Sequence, residues 1–117
     1  MAYYVERFQE ELEQLNQKIW SAAEIKYEEY ISMQTMVDFF QKHGFVVEDG
    51  IAGIPTAFRA VYGSGTPVIG LLAEYDALDG LSQQANCLVP TPRPETTHGH
   101  GCGHNLLGTG VAAAALA

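Results

Sequence analysis

The stretch "PVIGLLAEYDAL", Pro67 to Leu78, constrains the fold of this chain more than any other. It begins as a nearly continuous apolar run, the pattern of a strand buried on both faces and therefore central in its sheet. It ends abruptly in Glu74, Tyr75 and Asp76. Side chains two apart in an extended segment point the same way, so Glu74 and Asp76 share one side of the strand tip. In α/β sheets ligands bind outside the carboxyl ends of strands, which makes both carboxylates site candidates. As polar residues that merely terminate a strand they need no further role.

The flanking segments supply helices for such a sheet. Val5, Phe8, Leu12, Leu15 and Ile19 recur at steps of three and four, so the spacing predicts one amphipathic helix with its apolar stripe in the core. A second helix follows "SAAEIKYEEY", with Tyr30, Met33, Val37 and Phe40 inward and Gly44 in the left-handed position beyond its end. Glu28 and Glu29 suit its first turn, where the helix dipole favours negative charge. "FVVE" and "PTAFRAVYG" read as short strands, the latter alternating Ala57, Arg59 and Val61 with Phe58, Ala60 and Tyr62. Gly80 to Gly99 is a long connection rich in Pro, Gln and Thr, a length that usually means function or mobility. Asn105 to Ala117 reads as a helix with Asn105 as its N-cap, in which Gly108 and Gly110 permit close approach to another backbone. The expected class is α/β: two helices, a mixed sheet, then a further helix.

Charge and composition narrow the partners. A formal charge of -8 in 117 residues argues against nucleic acid or an anionic membrane, both of which require a basic face. No apolar run is long enough to span a bilayer. "MAYYVERFQEELEQL" has no apolar signal core, so a cytoplasmic protein is expected. In that compartment Cys87 and Cys102 do not make a disulfide scaffold, and a thiol beside histidines is a metal ligand or a nucleophile.

The sharpest chemistry lies in "THGHGCGHNLLGTG", Thr97 to Gly110. Thiolate and imidazole suit zinc and related divalent ions, and interleaved glycines let the backbone turn tightly enough to bring close-spaced ligands together. His98, His100, Cys102 and His104 are therefore metal-ligand candidates, against the alternatives of a flexible His-rich loop or a glycine-rich anion cradle. Cys102 and His104 also stand just before a helix N-terminus, where a thiolate is favoured.

"GLLAEYDALDGLSQQANC" followed by "HGHGCGHNLLGTG" resembles the M20 metallopeptidases and amidohydrolases, most specifically in "GHGCGHNLLG" and within the amidohydrolase branch. The resemblance covers nearly the whole chain and includes "IPTAF" at Ile54 to Phe58. It implies that Cys102 and His104 are ligands of a two-metal site holding zinc or manganese. Asp76 matches the acidic residue that orients a ligand from behind, while His100 and Glu74 are lesser candidates. Many relatives place a metal-binding His at the position of Glu74, a proline at that of Asp79 and an Asp at that of Asn105.

The implied reaction is metal-assisted hydrolysis of the amide bond of an N-acyl amino acid, with p-aminobenzoyl-glutamate, a folate catabolite, as the expected substrate. The family's general base and remaining ligands lie downstream, whereas the thirteen residues after His104 contain no His, Asp or Glu. Residues 1–117 are thus expected to be the N-terminal part of the catalytic domain, without the inserted dimerisation domain. Such a piece would be inactive alone, would leave an apolar sheet edge exposed, and would associate with a second hydrolase subunit or with its own copies. The rival reading is a small structural zinc or partner-docking module closed by Cys87, His98, Cys102 and His104.

Overall fold

The structure, a computed structural model, describes residues 2–117. In chain order it contains α1 (Ala2–Arg7), α2 (Gln9–Ala22), α3 (Tyr30–Lys42), β1 (Val46–Asp49), a 3-10 turn (Ile51–Gly53), β2 (Phe58–Val61) and α4 (His104–Leu116). Helices α3 and α4 both pack on α2. Leu12, Leu15 and Ile19 of α2, Met36, Phe39 and Phe40 of α3, and Ala112 of α4 make the core. Phe8, Phe45, Phe58 and Tyr75 close its margin.

The expected first helix is two. The backbone leaves helical geometry at Phe8, so α1 and α2 are separate segments. Leu12, Leu15 and Ile19 are buried as the periodicity requires, but Val5 is 38% exposed. In α3, Tyr30 also faces outward, and Met36 and Phe39 join Met33, Val37 and Phe40 inside. The start of α3 is held from a distance: Glu24 accepts from the backbone N–H groups of Ile31 and Ser32, each at 2.8 Å, and from the Ser32 hydroxyl. A carboxylate at a helix N-terminus satisfies orphan donors and complements the dipole. Glu29, expected in that role, instead accepts from the backbone N–H of Tyr27 and is buried. Gly44 follows α3 at φ +83, as expected.

The sheet is smaller than expected and antiparallel. Val46 pairs with Val61 and Asp49 with Phe58, so "FVVE" and the middle of "PTAFRAVYG" form one ladder. Phe58 and Ala60 turn toward the core while Arg59 and Val61 face outward, the alternation read from the residues. The central strand does not form. Among the described residues no strand lies beside Pro67–Ala73, and Val68, Ile69 and Leu72 are more than four-fifths exposed. A strand buried on both faces needs neighbours to take its backbone groups, and β1 and β2 pair only with each other. Only the end of the segment Pro67–Leu78 makes ladder contacts: a parallel bridge from Ala77 to Ile25, in which the Ala77 N–H donates to the Glu24 carbonyl, and an antiparallel bridge from Leu78 to Gly99.

Helix α4 begins one residue earlier than expected. Gly103, at φ +77, takes the N-cap position, and Asn105 lies inside the helix, donating its side-chain amide to Asn16 of α2 at 2.8 Å. Ile19 is fully buried at the α2 crossing, so Ile19→Ala should cost about 2–5 kcal/mol, read as a lowered denaturant midpoint.

Glu11 joins α2 to α3 by accepting from Lys42 at 2.9 Å and pairing with His43 at 3.0 Å. Burial works against its charge, but these two partners outweigh it and hold its carboxyl below the usual range. A carboxyl whose folded value is depressed adds stability above its unfolded value, about 4.3, and loses it as pH falls through the folded value. An acid titration of stability should show that loss, and Glu11→Gln should flatten it.

Candidate functional site

The site is built where α4 meets residues 74–77. Tyr75 points into the protein, stacked at 6.2 Å on Phe58, and its hydroxyl donates to the Thr56 carbonyl. Burial, and after it the charges of Glu29 and Glu24, push the Tyr75 phenol well above its ordinary range, so it stays a donor. With Tyr75 turned in, Glu74 and Asp76 turn together to the other side, as the alternation predicts.

Helix α4 lies against that backbone at Gly108, where an added Cβ would sit 3.5 Å from the Glu74 carbonyl oxygen and 3.6 Å from Tyr75 Cβ. His104 stands four residues earlier, on the same helix face. That face brings His104 Nδ1 to 2.8 Å from Asp76 Oδ1 and Nε2 to 3.3 Å from Glu74 Oε1. Gly110, also expected to permit close approach, has no atom within 4 Å of its would-be Cβ.

The glycines of "HGHGCGH" have three different causes. At Gly99 an added Cβ would collide with the Leu81 carbonyl, at Gly101 with the flexible end of the Leu81 side chain, and Gly103 has φ +77. Only the last concerns the tightness of the turn itself. Leu81 comes so near because residues 78–99 fold back as an irregular hairpin. Leu78 and Gly99 exchange backbone hydrogen bonds, the Ser82 N–H donates to the Thr97 carbonyl, and the Gln84 N–H to the Thr91 carbonyl. The long connection is therefore ordered by its own hydrogen bonds.

The other candidates go elsewhere. His100 Nε2 donates to the Ile19 carbonyl at 3.1 Å, while its Nδ1 is buried without a partner. Burial pushes the His100 imidazole down toward its neutral form, against the carbonyl bond that favours the proton. His98 Nε2 lies 3.5 Å from Asp79 Oδ1. Cys87 and Cys102 are free and exposed. Among the described residues no three His, Cys, Asp or Glu side chains converge on one point. The module of Cys87, His98, Cys102 and His104 is thus not assembled.

A narrower pair of donor types stands beside Asp76. With Nδ1 at hydrogen-bond distance from Asp76, the Nε2 atom of His104 faces a carboxylate oxygen of Glu74. Two donors bound about 2.0–2.1 Å from one tetrahedral ion lie about 3.3–3.4 Å apart. Donor types and spacing therefore suit a divalent ion shared by His104 and Glu74, with Asp76 fixing the ring, whereas a complete zinc site needs about three protein ligands.

Sequence reasoning missed Arg93 and Leu81. Arg93 is the only Lys or Arg after Arg59, and a lone cation inside a long loop was the available signal. Gly99→Ala should destabilise the chain by about 1–3 kcal/mol, because rigid backbone occupies the space. Gly110→Ala, in the open interior of α4, should instead stabilise by about 1 kcal/mol. Thermal unfolding of the two variants checks both signs.

No protein-family model matches the chain. It is 50% identical over 100 residues to the B subunit of p-aminobenzoyl-glutamate hydrolase from Escherichia coli K12, a match covering 86% of this chain and 21% of that protein. It is 34% identical over 120 residues to the human Xaa-Arg dipeptidase, covering 92% of this chain and 24% of that protein, and 34% identical over 116 residues to the mouse Xaa-Arg dipeptidase, covering 90% and 23%. The chain thus spans about a fifth to a quarter of the length of these curated relatives. The hydrolase resemblance carried by its motifs holds across most of its length: this chain is similar to a stretch of p-aminobenzoyl-glutamate hydrolase and, at lower identity, to a stretch of the Xaa-Arg dipeptidases.

Proposed function

We propose that this chain carries part of the metal site of a larger amidohydrolase that cleaves the amide bond of an N-acyl amino acid such as p-aminobenzoyl-glutamate. The observation that carries the reading is the His104 ring held between two carboxylates, Asp76 at 2.8 Å on one nitrogen and Glu74 at 3.3 Å on the other. Support comes also from relatives named as a hydrolase and as dipeptidases.

His104 is a ligand with Glu74 as the neighbouring oxygen donor, and Cys102, exposed two residues before it and not gathered with them in this structure, is the second ligand that the motif implies. Asp76 accepts the Nδ1 proton, which fixes the tautomer and leaves Nε2 free to bind. Tyr75, anchored on Thr56, keeps both carboxylates on the His104 side. A divalent ion, zinc or manganese and two in the complete site, supplies Lewis acidity and an acidified water when bound. The general base and the further ligands belong to the rest of the hydrolase, so residues 1–117 alone turn over no substrate. The bacterial relative is named as one subunit of its hydrolase, which supports an assembly with a second hydrolase subunit.

Cobalt titration of the chain, followed through the thiolate-to-metal absorption, should show binding that is lost in Cys102→Ser and in His104→Ala. Asp76→Asn should weaken it about 10–100-fold. Binding that ignores Cys102 and His104, or amide hydrolysis by the isolated chain, would overturn the reading.

A further inference from the structure

The last turn of α2 presents three successive backbone carbonyls to the segment 80–100. The Ile19 carbonyl accepts from His100, the Trp20 carbonyl from Arg93 Nη1 at 3.2 Å, and the Ser21 carbonyl from Arg93 Nη2 at 2.9 Å. The Ile19 carbonyl also accepts from the Ala23 N–H, whereas a helix C-terminus leaves carbonyls such as those of Trp20 and Ser21 without an intrahelical partner and carries the negative end of the dipole, so a cation is favoured there. The guanidinium fork can bond two carbonyls at once, which a lysine ammonium cannot do in the same geometry. Arg93 Cζ also lies 4.6 Å from the Trp20 ring centroid, and its Nε donates to Glu95 at 2.7 Å. Its side chain is 11% exposed, so these partners replace most of its water.

From Arg93 the connection runs to the glycine turn. The Arg93 N–H donates to the Ser82 hydroxyl at 2.9 Å, and the Ser82 N–H donates to the Thr97 carbonyl at 3.0 Å. Leu81, next to Ser82, fills the space that Cβ atoms on Gly99 and Gly101 would occupy. Leu81 is thus the floor beneath the turn, and Arg93 fixes where that floor stands. We propose that Arg93 is a positioning residue: by clamping the 80–99 hairpin onto the end of α2, it sets the placement of the 98–104 turn that presents Cys102 and His104. What the turn holds rests on the reading above; that Arg93 places it does not.

The test is amide hydrogen exchange on the metal-free chain, combined with cobalt titration. In Arg93→Ala, exchange over residues 97–103 should rise about tenfold or more while α3 is unchanged, the mark of a local opening. Cys102-dependent cobalt affinity should fall about tenfold, the lower end of what a lost orienting partner costs a metal site. Arg93→Lys, which keeps the charge without the fork, should restore only part of each. Should Arg93→Ala unfold the whole chain, Arg93→Lys decides: a rise that includes residues 97–103 and spares α3 supports the proposal, and no rise there overturns it. Exchange at 97–103 within twofold of the parent, or a rise limited to 80–96, overturns it. So does a loosened turn with unchanged cobalt affinity. A loosened turn in a chain whose parent binds no cobalt leaves Arg93 as the residue that places the turn and removes the hydrolase reading instead.

Discussion

The seating of α4 against residues 74–76 is the constraint on which the site depends. At position 108 the helix rests on Glu74 and Tyr75, and the helical repeat then carries His104, one turn earlier, to the two carboxylates. The same helix buries Ala112 against α2 and fastens Asn105 to Asn16. Core packing and site geometry are therefore one arrangement. Anything that rotated α4 would move the imidazole away from Asp76 and Ala112 out of the core together.

Much of this is legible in the residues because the period is physical. The three-and-four spacing of Leu12, Leu15 and Ile19 can bury only as a helix, and the alternation of Phe58, Arg59, Ala60 and Val61 only as a strand. The alternation of Glu74, Tyr75 and Asp76 places two acids together with a buried tyrosine between them, and a cysteine–histidine turn points to soft-metal chemistry. What local pattern does not contain is the identity of the neighbour. Leu81 beneath Gly99, Glu24 capping α3 and Arg93 on the end of α2 each join residues distant in sequence. Alternating glycines accordingly suggest tight turning, when at two of the three positions the cause is a leucine nearly twenty residues away.

The run from Pro67 to Ala73 shows the same limit from the other side. Its composition suits a strand covered on both faces, but composition does not provide the strands that would cover it. In this chain Val68, Ile69, Leu71 and Leu72 stand in solvent. Apolar surface of this kind, continuous and with unpaired backbone, is a template for another strand. It is the counterpart in packing of what the site shows in chemistry, where an imidazole and two carboxylates are set but, among the described residues, no group of donors that could hold a metal ion is gathered.

Trp20 is the single tryptophan of the sequence, and its ring lies directly under the guanidinium that seats the 80–99 hairpin. The indole thus has an aromatic face covered by the guanidinium while the hairpin is down, and its emission has no other fluorophore of its kind to interfere with it. The molecule carries a built-in optical gauge at the joint between its helical core and its glycine-rich turn.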